Sequence, residues 1–230
     1  MDRMDAKYAF RIEMLELLLE QMKPTYQVLE VNGHRISRYE SVYFDTNDFE
    51  LFHKHHNERA NRYKIRFRKY VESDLSFFEI KFKNNKGRTI KNRIKQAATE
   101  GTIANEAEKF LQKKTCFSAR DLEPKLGVDF YRITFVNRFR PERVTFDLQL
   151  TFKNNGVSQT MNNLVIAETK QERSGRSEFV RLMKQHHIRE GSLSKYCYGI
   201  SCLNEGIKNN NFKPDIKRFN KLLNDTTTST

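Results

Sequence analysis

The chain has 230 residues, lean in apolar side chains at 37% but with 18 Phe and 9 Tyr to build a core. Lys and Arg outnumber Asp and Glu by 42 to 29, a formal charge of +13, so an anionic partner is expected: nucleic acid, anionic lipid, nucleotide or polyphosphate. Three cysteines (Cys116, Cys197 and Cys202) without metal-ligand spacing argue against a disulfide framework, and a charged N-terminus argues against a cleavable signal peptide. The longest apolar helical run, residues 14–19, is too short to cross a bilayer, so a soluble protein of the cytoplasm is expected, with no direct membrane span.

One domain is predicted over residues 1–225, with a disordered tail at 226–230. Residues 3–8 alternate with period two, placing Arg3, Asp5 and Lys7 on one side of a short strand. A helix is predicted over about 9–22, with an apolar stripe of Phe10, Met14, Leu17 and Leu18 and with Pro24 just past its end. Residues 36–45 form a second strand, after which Asp45 or Thr46 suits the cap of a short helix over 47–56. That helix carries His53, His55 and His56; no residue at i+4 completes a facing metal set, so a solvated helix surface is expected.

Next comes a hairpin with two chemistries. Arg62, Lys64, Arg66 and Arg68 alternate with Tyr63, Ile65 and Phe67; then Glu79, Lys81 and Lys83 alternate with Phe78, Ile80 and Phe82. Two readings stand: a half-buried sheet with a solvated outer face, or a floor of cations that holds a polyanion. Residues 88–95 extend the run with Lys91, Arg93 and Lys95 on one face. Helical periodicity follows within 100–125, then strands over 127–137 and 142–152. In the second of these, Arg143, Thr145, Asp147 and Gln149 alternate with Val144, Phe146, Leu148 and Leu150. A last strand over 163–170 places Glu168 and Lys170 on one face, before helices over about 175–187, 195–204 and 215–224.

Carboxylates stand two residues from cations in three of these strands: Asp5 with Lys7, Glu79 with Lys81, and Glu168 with Lys170. If the strands close into a barrel, such a lumen can bind phosphates and a divalent cation together. Arg forks phosphate oxygens, Lys supplies point charge, and carboxylates supply the hard oxygens that Mg²⁺ or Mn²⁺ prefers. Phosphoryl or phosphoanhydride transfer suits that set. Neither a Walker nor a kinase glycine loop is present, nor a Cys or Ser nucleophile with a partnered His. Asp147 has a plainer role open to it, a cross-strand ion pair with Arg143 or Arg132, and Tyr8, Tyr43 and Tyr131 suit the core or rim.

An ordered series of segments is similar to a known family. They are Asp5-Ala-Lys7-Tyr8, Tyr43-Phe44-Asp45-Thr46, Lys64-Ile-Arg66-Phe-Arg68, Phe78-Glu79-Ile-Lys81, Lys91-Asn-Arg93, Tyr131-Arg132, Arg143-Val-Thr-Phe-Asp147, Glu168-Thr-Lys170 and Ser194-Lys195-Tyr196. Together they resemble the vacuolar transporter chaperone (VTC) domain, a family of polyphosphate polymerases among the triphosphate tunnel metalloenzymes, over about residues 3–200. The resemblance implies an α+β fold with a closed antiparallel β-barrel (the triphosphate tunnel) flanked by helices. It implies transfer of the terminal phosphate of ATP to a growing inorganic polyphosphate chain, with Mn²⁺ or Mg²⁺. By the same resemblance Lys7, Arg66, Arg68, Lys81, Lys91, Arg132, Arg143 and Lys195 are phosphate ligands and Glu168 is the metal carboxylate. Asp5, Lys64, Glu79, Arg93, Asp147 and Lys170 take supporting roles.

Ser192 stands where eukaryotic-type members carry a lysine, and Arg189 is a candidate substitute for that contact. A free-standing form is expected, without the phosphate-sensing domain and membrane helices of the eukaryotic type, so export of product would need a membrane-protein partner. A tunnel triphosphatase is the second reading, with Asp5 or Glu79 activating water. Tunnel hydrolases typically show two acids before their lysine, whereas here Asp5 stands alone before Lys7, which favours the polymerase. The third reading is a non-catalytic module for nucleic acid or another polyanion. Nucleic acid is not the expected partner, because the aromatics alternate to the face opposite the cations.

Overall fold

Alternation in the sequence becomes strand pairing in the computed structural model, which describes residues 3–97, 101–172, 177–191 and 194–224. In chain order the elements are β1 (Arg3–Arg11), α1 (Met14–Met22), β2 (Tyr26–Val28), β3 (Ile36–Asp45), α2 (Glu50–His56), β4 (Arg62–Tyr70), β5 (Leu75–Lys83), β6 (Thr89–Lys95) and α3 (Glu106–Lys114). They continue with β7 (Glu123–Asn137), β8 (Arg143–Asn154), β9 (Val157–Met161), β10 (Leu164–Glu172), α4 (Glu178–Gln185), α5 (Lys195–Leu203) and α6 (Lys213–Asn224). The strands form one sheet in the order β1-β10-β8-β7-β3-β4-β5-β6, with β2 added to β7 and β9 to β8. Every pairing is antiparallel.

The expected closed barrel is corrected by this order. β1 and β6 stand at its two ends, and no pairing joins them among the described residues. Both outer edges have a reason to stay apart. That of β1 is occupied by a bridge between Tyr8 and Glu190 and by the Gly191 N–H, which donates to the Lys7 carbonyl at 2.9 Å. β6 exposes Lys91, Arg93 and Lys95, and charged side chains on an edge strand oppose further pairing. The fold is α+β, with an open antiparallel sheet flanked by helices.

One sheet face is apolar throughout. Tyr8, Phe10, Phe146 and Ala167 pack with Leu18 of α1 and Phe179 and Met183 of α4. Ile65, Phe67, Phe78 and Ile80 pack with Ala107 and Leu111 of α3. β1 runs to Arg11, where a helix was expected from about residue 9, because Ala9 and Phe10 continue its alternation and pair with Ile166 and Val165.

The other face is divided. Its charged part ends where β8 bulges: the register with β7 shifts between Asp129 and Tyr131, and Gln149 adopts a positive φ of 49°. The bulge reverses the alternation of β8, so Leu150 and Phe152 share a face with Asp147 instead of with Phe146. Together with Leu126, Val128 and Ile166 they bury Tyr196, Cys197 and Ile200 of α5 and Phe219 of α6. Helix α5 lies so close that a Cβ on Gly199 would overlap the Phe152 ring and stand 2.7 Å from Leu126 Cδ2. α5 thereby plugs one end of the charged face.

Asp45 joins β3 to two helices. Its carboxylate accepts from the Leu51 and Phe52 N–H groups at 2.8 and 2.9 Å and from the Tyr196 hydroxyl, while Thr46 Oγ1 accepts from the Glu50 N–H. Both residues offered as caps of α2 therefore hold its first turn. No helix among the described residues is long and apolar enough to cross a membrane.

Candidate functional site

Two carboxylates organise the charged face, each shared by two cations. Glu79 on β5 lies opposite Arg66 in the ladder and accepts from its Nε and Nη2 at 2.8 and 2.6 Å; its second oxygen takes Lys91 Nζ at 2.7 Å. Asp147 on β8 lies opposite Arg132 and accepts from its Nε and Nη2 at 2.6 and 2.8 Å, and Oδ2 also takes Lys195 Nζ at 2.6 Å. The plainer role of Asp147, a cross-strand ion pair with Arg132, is the one observed. Burial opposes ionisation of both carboxyls, but the neighbouring cations outweigh it: Glu79 is brought to about 2, and Asp147 is held well below the usual carboxylate range.

Other cations have no carboxylate of their own. Arg68, 7% exposed, donates to Ser41 Oγ at 3.1 Å, and burial followed by the charge of Arg66 lowers its pKa to about 10. Lys81 pairs in register with Lys64 on one side and Lys91 on the other. Repulsion from Arg66, then burial, then Arg68 and Lys91 hold its ammonium well below the ordinary lysine range. Burial likewise lowers Lys64, and it lowers Lys195 despite the bond to Asp147. Such a face is strained by its own positive charge, and an anion relieves it.

Tyrosine 43 belongs to this group and was not among the expected site residues. Its hydroxyl accepts from Arg66 Nη1 at 2.7 Å, and its ring stacks on Tyr196. Burial opposes its ionisation, yet Arg66, Arg68 and Lys195 bring the phenol down to about 8. The register Tyr43–Arg66 makes this contact; alternation along β3 alone does not identify that partner.

On the far strands Glu168 faces Lys7 across the β1–β10 pairing and holds Lys170 at 3.0 Å. Burial opposes its ionisation, but Lys170, Lys7 and Lys195 bring it to about 2. Arg143 and Asp5 are exposed and both pair in register with Lys170, and Arg93 lies over the Phe77 ring at 4.5 Å. At this end a cavity of about 430 Å³ opens beside Arg140, Arg143, Lys170 and Glu172. The expected residues of β4–β8, β10 and α5 therefore lie on one face, with Arg143 and Asp5 at its rim.

Residues 2–204 match the VTC domain. The chain belongs to the VTC-domain family. It is thereby a member of the triphosphate tunnel metalloenzymes, a superfamily of phosphotransferase-type enzymes that generally require a divalent metal. Among solved structures it resembles a protein from Bacillus halodurans given a provisional description as an adenylate cyclase, with 14% identity, 84% of this chain and 96% of that one covered, and a TM-score of 0.53. A Vibrio parahaemolyticus protein described in the same way has 13% identity, coverage of 87% and 99%, and a TM-score of 0.52. A Hippeastrum adenylyl cyclase described as having a dominant triphosphatase activity has 13% identity, coverage of 88% and 98%, and a TM-score of 0.51. At these identities the likeness establishes the fold. No curated protein sequence matches the chain.

For a divalent cation, this VTC domain offers Glu168 as an ionised oxygen ligand on the cationic face. Among the described residues no cluster of three or more His, Cys, Asp or Glu could hold a metal unaided. That set fits Mg²⁺ or Mn²⁺, which keep waters and take phosphate oxygens beside one or two carboxylates.

Two expectations about this VTC domain are corrected. The three histidines are not a solvated surface: His56 is 1% exposed, packs against Phe52 and Phe212, and accepts from the Asn211 N–H at 3.2 Å, while His53 and His55 are half-buried. Aromatics also share the cationic face. Arg132 lies 4.9 Å from the Tyr39 ring and 5.1 Å from Phe130, and Lys195 Nζ lies 4.9 Å from Phe130. Alternation along β7 puts Phe130 on the face of Arg132, and the β3–β7 ladder sets Tyr39 opposite Phe130, so the cations cover ring faces that a base would need for stacking. Ser192 lies outside the described residues; Arg189 is exposed, and its carbonyl accepts from Arg218.

Proposed function

We propose that this VTC domain is an ATP-dependent polyphosphate polymerase, transferring the terminal phosphate of ATP to a growing inorganic polyphosphate chain. The observation that carries the reading is the state of the carboxylates: Glu79, Asp147 and Glu168 are all ion-paired and strongly acidic. Hydrolysis needs a base that takes a proton from water: Glu79 is committed to Arg66 and Lys91 with a pKa of about 2, and Asp5 stands exposed at the rim, opposite Lys170. The end of a polyphosphate chain is already an anionic oxygen. It needs placement and charge compensation, which the cations supply.

In this reading Arg66, Arg68, Lys81, Lys91, Arg132 and Lys195 hold the transferring phosphate and its neighbours in line, with Lys7 and Arg143 contacting the chain on the far strands. Glu168 holds Mn²⁺ or Mg²⁺, which when bound neutralises charge shared between donor phosphates. Asp5, Lys64, Arg93 and Lys170 support the path, and Glu79 and Asp147 fix the cations they bridge. ATP as donor implies a cytoplasmic location, and any export of the product would need a membrane-protein partner.

The test is incubation of the purified protein with ATP and Mn²⁺, with products resolved on a gel stained for polyphosphate. A ladder of chains with stoichiometric ADP is expected. Orthophosphate without chains would replace the proposal with the triphosphatase reading. No turnover together with salt-sensitive oligonucleotide binding would favour the non-catalytic module. Glu168→Gln should weaken Mn²⁺ dependence and turnover together; an unchanged metal titration would remove Glu168 from that role.

A further inference from the structure

The β4–β5 ladder continues past the set described above, and its last rungs are unusual. Glu79 meets Arg66 and Arg93, a rung with compensated charge. The next rung is Lys64 opposite Lys81, with Lys91 beyond, and the one after it is Arg62 opposite Lys83. Like charges directly opposite each other in a ladder are destabilising, and here two such rungs follow in succession. Among the described residues none of Arg62, Lys64 and Lys83 forms an ion pair with a carboxylate. Arg62 donates from Nη1 to the Arg59 carbonyl at 2.8 Å, while its Nε is buried without a partner.

Helix α2 brings His55 against this cluster. Its half-buried ring lies in the fields of Lys64, Arg62 and Lys83, and of Lys7 from β1 across the face. Its neighbours on α2 add no compensating charge at that ring: Lys54 is tied to Glu50 at 2.5 Å, and His56 is turned into the apolar cluster with Phe52 and Phe212. From α5, Cys197 approaches the same lysine and arginine.

We propose that Arg62, Lys64, Lys83 and His55 form a further anion subsite, continuous with the phosphate-binding face, that takes phosphate units of a chain longer than a triphosphate. The proposal rests on the polymerase reading for the identity of the chain and adds Arg62, Lys83 and His55, which lie outside the family-implied residues, to Lys64. A chain phosphate between the two rungs turns two repulsive cross-strand pairs into bridged ones and gives the Arg62 Nε an acceptor. His55, held neutral by burial and then by the four cations, offers the chain a ring N–H as donor.

The experiment is calorimetric titration of the full chain with tripolyphosphate and with a defined polyphosphate of about fifteen units. The unmodified protein and Lys83→Ala, an exposed strand-end position, are compared first, then Arg62→Ala/Lys83→Ala. Affinity of the unmodified protein should rise with chain length. Each variant should bind tripolyphosphate as before and lose roughly tenfold in long-chain affinity per cation removed. Equal losses for short and long chains, or no loss for either, would overturn the subsite.

As a second measurement, His55→Leu should bind tripolyphosphate as before and lose long-chain affinity. Unchanged long-chain affinity in His55→Leu removes the histidine from the subsite. An intact polyphosphate ladder from ATP alongside a failed length dependence would sink the subsite and spare the polymerase. Binding of neither chain by the unmodified protein would overturn both.

Discussion

Asp147→Asn separates the structural from the electrostatic role of the carboxylate that bridges Arg132 and Lys195. The substitution keeps the side-chain shape but removes the charge facing two cations that are 16% and 14% exposed. Leaving a buried partner uncompensated costs about 3–5 kcal/mol, which lowers Tm by on the order of 10 °C in a chain of this size. The same change makes the face more positive. Tripolyphosphate should therefore bind the variant roughly tenfold more tightly, since a unit charge a few ångströms away at an effective dielectric near 20 is worth more than 1 kcal/mol. Scanning calorimetry with and without saturating tripolyphosphate reads both effects: a large gap in Tm for the free proteins and a much smaller one for the complexes. An unchanged Tm, or a gap that saturating ligand leaves intact, would refute the view that Asp147 compensates the charge of Arg132 and Lys195 as a bound phosphate does.

Three further outcomes follow from the geometry. Gly199→Ala should destabilise by about 1–3 kcal/mol through overlap with Phe152 and Leu126, and by displacing α5 should also raise the ATP concentration needed for turnover; urea melts and steady-state kinetics check it. One tyrosine should ionise near pH 8, seen by absorbance at 295 nm, and the transition should vanish in Tyr43→Phe. Glu79 has a folded pKa of about 2 against an ordinary 4.5, so its stabilisation is complete above about pH 4.5 and disappears as pH falls through 2. Across that window urea melts should show a loss about 3 kcal/mol larger in the unmodified protein than in Glu79→Gln.

Much of the sheet could be read from alternation because one face of each strand is buried against helices. Residues 36–45 and the first half of the hairpin need no adjustment: β3 and β4 span Ile36–Asp45 and Arg62–Tyr70. β2 and β9 escaped notice because they are short and mostly exposed, Val157 by 57%. The bulge at Gln149 was hidden for a different reason. Residues 142–152 alternate without a break, yet the positive φ at Gln149 moves Leu150 and Phe152 to the other face. Whether the sheet closes depends on what occupies the outer edge of β1, and Glu190 and Gly191 reach it from nearly the other end of the chain. No local pattern encodes that contact. Within the candidate site the residue types were legible, but the division into bridged and unbridged cations was not, because it depends on register: Arg66 faces Glu79, whereas Lys81 faces only lysines.

That division assigns opposite costs to residues of the same charge. A bridged cation such as Arg66 or Arg132 contributes to stability, because its removal strands a buried carboxylate. An unbridged cation such as Lys81 burdens the empty fold, since it stands between Lys64 and Lys91 under the added repulsion of Arg66 and Arg68. Lys81→Met keeps the aliphatic stem and deletes the charge. It should stabilise the free protein by about 1 kcal/mol from the two repulsive pairs relieved, a rise of a few degrees in Tm. The same variant should lose polyphosphate synthesis and most of the Tm increase that tripolyphosphate gives the unmodified protein. Gain in stability with loss of binding is the signature of a group kept for function at a cost to the fold. If Lys81→Met melts lower than the unmodified protein, or keeps the full ligand-induced increase, then Lys81 is a structural residue and the phosphate path runs elsewhere on the face.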